Sequence, residues 1–433
     1  MSTDHTALVS KVWNYAHVLR DQGIGYGDYV EQITFLLFLK MDQERAELLG
    51  EPSTIPAAWR WDRLAPLAGD DLEIHYRHAL EALAGEKGLI GTIFRGAQNK
   101  LTDPAKLKRV VSLMDAETWI GIGVDVKGAI YEGLLERNAA EVKSGAGQYF
   151  TPRPLIQAMV TALDPRIGET VHDPACGTGG FLLSAYEYMK EHVGAQARDR
   201  TAQRRLREET FSGNDIVDEV VRLCAMNLYL HGIGNGDSPI RNVDALAADP
   251  GERYDVILTN PPFGKKSSFR VIGEDGEVDT EREDYEREDF KFTTGNKQLN
   301  FMQHIMTVMG SRGRAGVVLP DNVLFEAGSA GEGIRRRLLE QFDFHTLLRL
   351  PTGIFYKPGV KANVLFFDKH PPRADGKPNT QALWIYDLRT NQHFTLKKNP
   401  LATRGPAGLR GLLSGGPARC TARERALQAV PGR

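Results

Sequence analysis

The stretch from Val171 to Leu183 constrains the fold most, because a short apolar run, a glycine-rich turn and an apolar helix start follow one another there. Glycine adopts the backbone conformations of tight turns and lets the main chain pass close to a ligand. The first turn of a helix offers unpaired backbone N–H groups and the positive end of a dipole to an anion. We therefore predict an α/β fold with a ligand over Gly177–Gly180 at the carboxyl end of a strand.

The same turn excludes two common nucleotide sites. The dinucleotide fingerprint G-x-G-x-x-G fails, because its third glycine would fall on Leu182. The phosphate-binding pattern G-x-x-x-x-G-K-[ST] occurs nowhere in the chain, so ATP hydrolysis is not expected. The remaining pattern suits S-adenosylmethionine, with its amino acid part over the turn and Asp173 near its ammonium group.

Two further acids follow predicted strands and complete such a site. The run from Phe211 ends at Asp215, where a carboxylate can accept both ribose hydroxyls. Asp244, after Asn242-Val243, can accept the adenine amino group of the cofactor. Either acid by itself is more often a cap or a solvated loop residue. Acids at three successive strand ends favour one ligand site at the sheet edge.

A fourth apolar run, Tyr254 to Thr259, is followed by Asn260-Pro261-Pro262-Phe263. This pattern is typical of methyl transfer to a planar exocyclic amino group, whose lone pair is delocalised and needs hydrogen-bond acceptors to become nucleophilic. Asn260 Oδ1 and the Pro261 carbonyl are the predicted acceptors, two prolines stiffen the loop, and Phe263 is predicted to stack on the ring. The alternative, a simple strand-ending turn, stays open for these four residues taken alone.

A predicted helix start precedes the glycine-rich turn. After the hinge-like segment 144–147, the chain reads Gln148, Tyr149, Phe150, Thr151, Pro152 and Arg153. We predict that Thr151 caps the helix and that Pro152 takes its first position. A helix start beside two aromatic residues could bind a charged small molecule, although a capped helix without a ligand has the same pattern.

Cysteine usage and hydropathy narrow the class of protein. Cys176, Cys224 and Cys420 are far apart, which predicts a reducing cytoplasm and no disulfide framework. Cys176 is disfavoured as a nucleophile that methylates cytosine carbon, because the turn is expected to bury it and no Pro-Cys dipeptide occurs. No metal site is expected. The longest apolar run, Ile33 to Leu39, is far shorter than the roughly 20 residues that span a bilayer, so no membrane partner is expected.

Charge and periodicity indicate the domain organisation. Residues 1–140 are predicted to form a helical domain, 145–370 a catalytic domain, and 371–433 a carboxyl-terminal extension that is partly disordered or atypical after 400. The formal net charge of −2 gives no basic footprint, so avid DNA binding is not predicted for this chain alone and a partner is expected to supply it.

With these motifs in this order, the chain resembles amino-group methyltransferases, and more narrowly the modification subunit of type I restriction-modification systems. The resemblance rests on residues 148–153, 173–181 and 260–263 and on the helical amino-terminal domain. It implies a Rossmann-like, seven-stranded methyltransferase sheet that uses S-adenosylmethionine to methylate N6 of adenine in DNA. The target adenine would be flipped out of the double strand. Two such subunits would assemble with one specificity subunit, and a restriction subunit is a further expected partner.

The candidate residues follow from the motifs and the resemblance together. The predicted cofactor-binding residues are Gln148, Tyr149, Phe150, Thr151, Pro152, Arg153, Asp173, Cys176, Gly177, Thr178, Gly179, Gly180, Asp215 and Asp244. The predicted catalytic residues are Asn260, Pro261, Pro262 and Phe263. Two alternatives stay open: methylation of a protein glutamine or an RNA amino group, and a non-catalytic scaffold that only binds the cofactor. Cytosine amino methylation is also chemically feasible.

Overall fold

The computed structural model describes two compact units. The described residues are 26–50, 52–119, 151–194, 199–234, 236–263, 268–272, 278–282, 285–355, 361–389 and 429–431. The first unit comprises Met1–Gln148 and Val217–Ile240, and the second comprises Tyr149–Ile216 and Arg241–Arg433.

Helices occur in both units. In chain order the helices of the described residues are α1 (Tyr26–Leu49), α2 (Trp61–Leu64), α3 (Gly69–Ala84), α4 (Gly88–Phe94), α5 (Pro104–Asp115), α6 (Arg153–Leu163), α7 (Gly180–Glu191), α8 (Arg200–Glu208), α9 (Asp218–Leu230), α10 (Lys297–Val308), α11 (Asp321–Phe325) and α12 (Ser329–Gln341), with a 3₁₀ turn at Ala57–Trp59. No helix of the described ranges is long and apolar enough to cross a bilayer.

The first unit is helical, which confirms the predicted amino-terminal helical domain. In α1 no residue from Ile33 to Leu39 is more than 1% exposed, so this helix is buried around its circumference. This burial explains why apolar residues occur on every face of the helix, because a helix that is surrounded by other elements exposes no face to water. Phe35 and Phe38 pack against Phe94 of α4, with ring centroids 5.3 and 5.6 Å apart.

Helix α9 belongs to the first unit, although its sequence lies inside the segment predicted as catalytic. Arg222 of α9 pairs with Glu31 of α1, and also with Asp218 at 2.6 Å. The Tyr229 hydroxyl donates to Asp42 Oδ1 at 2.6 Å. The core shared with α1 includes Leu223, Ala225, Met226, Tyr229 and Leu230. The domain bounds 1–140, 145–370 and 371–433 stay a prediction, but contacts group 217–240 with the helical unit.

The second unit is built on one large sheet. Its strands are β1 (Val171–Asp173), β2 (Phe211–Asp215), β3 (Ile240–Asn242) and β4 (Tyr254–Thr259), and, after a separate hairpin of β5 (Ser268–Ile272) and β6 (Val278–Arg282), β7 (Met309–Pro320), β8 (Phe342–Arg349), β9 (Ala362–Lys369), β10 (Ala382–Asp387) and β11 (Ala429–Pro431). The strand order is β11-β10-β8-β9-β7-β4-β1-β2-β3. The predicted α/β class is confirmed.

The directions of the strands show at which edge of the sheet a ligand is expected to bind. β1 pairs in parallel with β2 and β4, and β4 pairs in parallel with β7. The chain runs outward from β1 through β2 to β3, and β4 lies on the other side of β1. Ligands bind outside the carboxyl ends of strands at such a reversal of strand order. The carboxyl ends of β1, β2 and β4 therefore form the expected site.

The sheet is larger than predicted. Seven strands were expected, whereas the described residues form a sheet of eight strands up to Asp387 and a ninth, β11. β9 is antiparallel to both β7 and β8. β10 adds to β8 in parallel, and β11 pairs with β10. The sheet thus continues past residue 370, the predicted end of the catalytic domain. Without β10, the backbone N–H and C=O groups on the outer side of β8 would have no strand to pair with.

Candidate active site

The glycine-rich turn is held against the end of β2. The backbone N–H of Cys176 donates to the Asn214 carbonyl at 2.9 Å, and that of Gly177 donates to Asp215 Oδ2 at 3.2 Å. Gly177 and Gly179 have φ of 52° and 83°, in the left-handed region that a side chain disfavours. A Cβ at Gly177 would meet no atom within 4 Å, so its Cα borders open space. The turn therefore borders open space at the start of α7, as the predicted ligand site requires.

Asp173 is a buried carboxyl at the end of β1. It is 1% exposed, and its Oδ1 accepts a hydrogen bond from the Ala175 N–H at 3.0 Å. The pKa of Asp173 is raised to about 7, mainly by burial and to a smaller extent by the negative charge of Asp215, which together outweigh the lowering effect of the Thr259 hydroxyl. A cation bound beside Asp173 would favour its ionised form. The residue therefore fits the predicted role beside an ammonium group.

The ends of β2 and β3 are joined by hydrogen bonds. The Val243 N–H donates to the Asp215 carbonyl at 3.1 Å, which brings the two predicted acids to neighbouring loops. Asp244 Oδ1 accepts from the Leu246 N–H at 2.9 Å, and Oδ2 accepts from the Tyr285 hydroxyl at 3.0 Å. Asp215 and Asp244 thus face one edge with their carboxylates oriented by backbone and side-chain donors.

Sequence reasoning missed three residues of this region. Ile216 is 66% exposed and Val243 is 45% exposed, and each lies directly beside one of the acids. Exposed apolar side chains at a ligand edge suit the faces of a purine ring. Their position next to the acids was the available signal. Tyr285 has no local signal, because it reaches Asp244 from a segment 41 residues further along the chain.

Asn260 lies at the end of β4, next to β1. The register pairs His172 with Ile257, so Asp173 and Asn260 emerge at the same edge of adjacent parallel strands. Asn260 is 8% exposed, and its Nδ2 donates to Thr151 Oγ1 at 2.9 Å. Since an amide group is planar, fixing Nδ2 also fixes the direction of Oδ1. The structure therefore brings the predicted acceptor together with the predicted cofactor site.

The rest of the Asn-Pro-Pro-Phe loop is braced from two other segments. Gln298 of α10 donates from Nε2 to the Pro262 carbonyl at 3.1 Å. Phe263 packs edge-to-face against Phe355, with centroids 6.1 Å apart and planes at 68°. Pro261 is buried, whereas Pro262 is exposed. Gln298 and Phe355 were not predicted, because neither stands near the motif in sequence.

The predicted helix cap at Thr151 is wrong. α6 begins at Arg153, and Pro152 is its N-cap with φ −56° and ψ 132°. The Pro152 carbonyl accepts from the Leu155 N–H at 2.9 Å, which is the first hydrogen bond of the helix. The Thr151 hydroxyl is engaged by the Asn260 amide instead. The Thr151 hydroxyl therefore bonds a side chain far away in sequence, and it does not cap the helix that follows it.

The remaining predicted residues differ in how far the structure describes them. Gln148, Tyr149 and Phe150 lie outside the described residues. Arg153 pairs with Glu187 of α7 at 3.5 Å. Cys176 is buried, as expected of a turn residue. Within the described ranges no group of three or more His, Cys, Asp or Glu side chains could hold a metal ion.

These features define a class of protein. The sheet order and the position of Asn260 beside a glycine-rich turn are those of an amino-group methyltransferase. The family described as N-6 DNA methylase matches residues 123–405, and the HsdM N-terminal domain matches residues 8–114. Membership of a methyltransferase family implies S-adenosylmethionine as the cofactor class, and the acceptors at Asp173, Asp215 and Asp244 fit it.

The relatives narrow this class. The chain is 42% identical to the StySPI methylase subunit of Salmonella potsdam, over 91% of this chain and 73% of that protein. It is 41% identical to the EcoKI methylase subunit of Escherichia coli K12 with the same coverage. A chain from a structure of complex assembly in a type I restriction-modification system is 28% identical, with TM-score 0.74 over 99% of this chain and 88% of that one. This chain belongs to the methylase subunits of type I restriction enzymes, within the N-6 DNA methylases.

Proposed function

We propose that the chain transfers a methyl group from S-adenosylmethionine to N6 of adenine in DNA, at the edge formed by β1, β2 and β4. One observation carries the proposal. The register of β1 and β4 sets Asp173 and Asn260 at neighbouring strand ends, so a cofactor held at the first lies beside a base held at the second. When bound, S-adenosylmethionine supplies an electrophilic methyl sulfonium.

Residues at this edge of the sheet bind and orient the cofactor. Asp173 takes the ammonium group of the cofactor, and the turn at Gly177–Gly180 offers backbone donors and a helix dipole to its carboxylate. Asp215 accepts from the ribose hydroxyls and Asp244 from the adenine amino group of the cofactor. Ile216 and Val243 cover the faces of that ring. These assignments use both the hydrogen bonds and the exposed apolar surface described above.

The target amino group is activated by acceptors. Asn260 Oδ1 and the Pro261 carbonyl each accept one N–H of adenine N6, which favours a nitrogen whose lone pair points away from the ring. Phe263 stacks on the base, and Phe355 supports Phe263 at 6.1 Å. N6 would gain the methyl group as the bond from the methyl carbon to sulfur breaks, which leaves a neutral thioether, and N6 would release one proton to solvent. A duplex adenine reaches this site only when flipped out of the helix.

Assembly supplies the DNA affinity that this chain lacks. Its formal net charge of −2 offers no general attraction for phosphates. We propose that two such subunits join one specificity subunit, which supplies target recognition, and that a restriction subunit completes the complex in the cytoplasm. The likeness to a chain from a structure of complex assembly in a type I restriction-modification system supports assembly with partner subunits.

The proposal is tested by transfer of labelled methyl groups to unmethylated DNA. The chain is assayed alone and with its specificity subunit, and the labelled product is identified by nucleoside analysis. We expect label on N6 of adenine only in the assembled enzyme. Label in protein or RNA would favour the alternative amino-group substrates, and cofactor binding without any transfer would favour the scaffold.

A variant of Asn260 and a control variant test whether methyl transfer takes place at the proposed site. Asn260→Ala should lower transfer by at least about a hundredfold while leaving cofactor binding intact, because it removes an acceptor used in the transition state. Gln381→Ala is the control, since this exposed amide precedes β10, which four strands separate from β1 in the sheet. Equal rates for Asn260→Ala and the wild type would exclude the proposed site.

A further inference from the structure

The hydrogen bonds around Asn260 and Pro262 assign roles beyond the motif itself. A primary amide carries one acceptor and two donors on a planar group, and rotation by 180° about its last bond exchanges them. If the amide of Asn260 were rotated, it would offer N–H groups to an amino group that is itself a donor. The reaction therefore depends on which way this amide faces.

Thr151 holds the amide in one of these two directions. Its Oγ1 accepts from Asn260 Nδ2 at 2.9 Å, and the two residues are 7% and 8% exposed. The position of this hydroxyl is restricted, because the residue before a proline is held extended and a β-branched side chain has few rotamers. With Nδ2 bonded to Thr151, Oδ1 points to the other side of the amide.

Gln298 sets the direction of the loop carbonyls. It is 2% exposed in the first turn of α10, and Asn296 caps that helix by accepting from the Gln298 and Leu299 N–H groups. Its Nε2 donates to the Pro262 carbonyl at 3.1 Å. This bond turns the Pro262 carbonyl toward α10. Successive prolines favour the polyproline geometry, which has three residues per turn, so the Pro261 carbonyl is expected to take a different direction from the Pro262 carbonyl that Gln298 holds.

We propose that Thr151 and Gln298 are positioning residues that orient the two acceptors of the target amino group, Asn260 Oδ1 and the Pro261 carbonyl. The inference rests on the proposed function and deepens it. Thr151 acts through Asn260, and Gln298 acts through the loop backbone. Neither needs to contact the base.

The test uses the assembled enzyme and nearly isosteric variants. Thr151→Val removes the hydroxyl, Thr151→Ser keeps it, and Gln298→Met removes the amide donor. We expect Thr151→Val to lower kcat by about tenfold to a hundredfold, the range that small misplacements of reacting groups cause. Thr151→Ser should restore kcat to within about threefold of the wild type. The Kd for S-adenosylmethionine should change by less than about threefold in both.

A double-mutant comparison separates positioning from general structure. If Thr151 acts through Asn260, Thr151→Val should have no further effect in an Asn260→Ala background, measured as the rate of a single turnover. Gln298→Met should still lower the rate in that background, because it acts on another acceptor. Melting temperatures identify any variant that fails to fold, in which case Thr151→Ala and Gln298→Leu replace it.

Three outcomes would overturn the inference. These are an unchanged kcat in Thr151→Val, additive effects of Thr151→Val and Asn260→Ala, and a loss of cofactor binding in proportion to the loss of rate. The last would make Thr151 a cofactor ligand. Failure of the proposed function is distinct, because the wild-type enzyme would then transfer no label to adenine.

Discussion

The Tyr285 hydroxyl donates a hydrogen bond to Asp244 Oδ2 at 3.0 Å, while the Leu246 N–H donates to Oδ1 of the same carboxylate. Both oxygens are thus oriented before any ligand binds. Tyr285 also packs against the small apolar cluster of Ala245, Leu246, Phe290 and Phe301. A residue beyond the β5–β6 hairpin therefore shapes the predicted adenine pocket of the cofactor.

Tyr285→Phe should weaken cofactor binding without altering chemistry. Losing one hydrogen bond to a carboxylate costs about 1–2 kcal/mol, so we expect Kd for S-adenosylmethionine to rise by about fivefold to thirtyfold. Isothermal titration gives Kd, and saturating cofactor should restore kcat. Tyr188→Phe is the control, since its hydroxyl bonds Asp164 at 2.8 Å, in a loop away from these acids. An unchanged Kd in Tyr285→Phe would contradict the assignment.

Cofactor affinity should rise with pH near neutrality. Because burial raises the pKa of Asp173 to about 7, much of this carboxyl is neutral in the unliganded protein below that pH. An ammonium partner requires the anion, so Kd should fall as pH increases from about 5.5 to 7.5. Asp173→Asn should bind weakly with a flat profile over this range. A flat profile in the wild type would contradict the role given to Asp173.

The same carboxyl should make stability depend on pH. The folded pKa of Asp173 lies above its ordinary value near 4, so its contribution is fully present below about pH 4 and lost as pH rises through about 7. The loss is on the order of 4 kcal/mol for a shift of this size. Without cofactor, Asp173→Asn should therefore become progressively more stable than the wild type between pH 4 and about 8. Chemical denaturation across that range measures the difference.

Two neighbouring glycines should tolerate alanine differently. Gly179 has φ 83°, so Gly179→Ala should cost about 1–2 kcal/mol of unfolding free energy and displace the turn. Gly180 has no such conformation, and its added Cβ would meet only Ile156 Cδ1, at 3.1 Å, which is the end of a flexible side chain. Gly180→Ala should cost less than half as much. Equal losses would show that backbone conformation is not what selects glycine at 179.

The partly buried pair of Arg222 and Glu31 should couple α9 to α1. Burial outweighs Arg222 and raises the pKa of Glu31 above its ordinary value. Arg222→Met should destabilise the fold by about 3 kcal/mol at pH 7, because it leaves a half-buried carboxylate without its partner. Adding Glu31→Gln should recover part of that loss. A double variant as unstable as the sum of the single variants would exclude the coupling.

Local signals predicted the elements to which we assign chemistry. The glycine-rich turn and the Asn-Pro-Pro-Phe loop were predictable, because an apolar strand followed by turn residues is a pattern of adjacent positions. The helix cap at Thr151 was predicted wrongly for the converse reason, since its hydroxyl bonds a side chain 109 residues away. Gln298, Tyr285 and Phe355 likewise depend on contacts between distant segments. Periodicity also cannot show that β10 and β11 extend the sheet.

The position of α9 determines how the protein can be divided. The chain passes between the two compact units after residues 148, 216 and 240, so they are joined by three covalent connections. A single cut near residue 148 would divide the chain into two pieces, which would stay associated only through the packing of α9 against the helices of residues 1–148. A fragment starting at 149 would carry the apolar side of α9, including Met226 and Leu230, without the α1 core that buries it. Such a fragment would aggregate, whereas co-expression with residues 1–148 should restore a soluble protein.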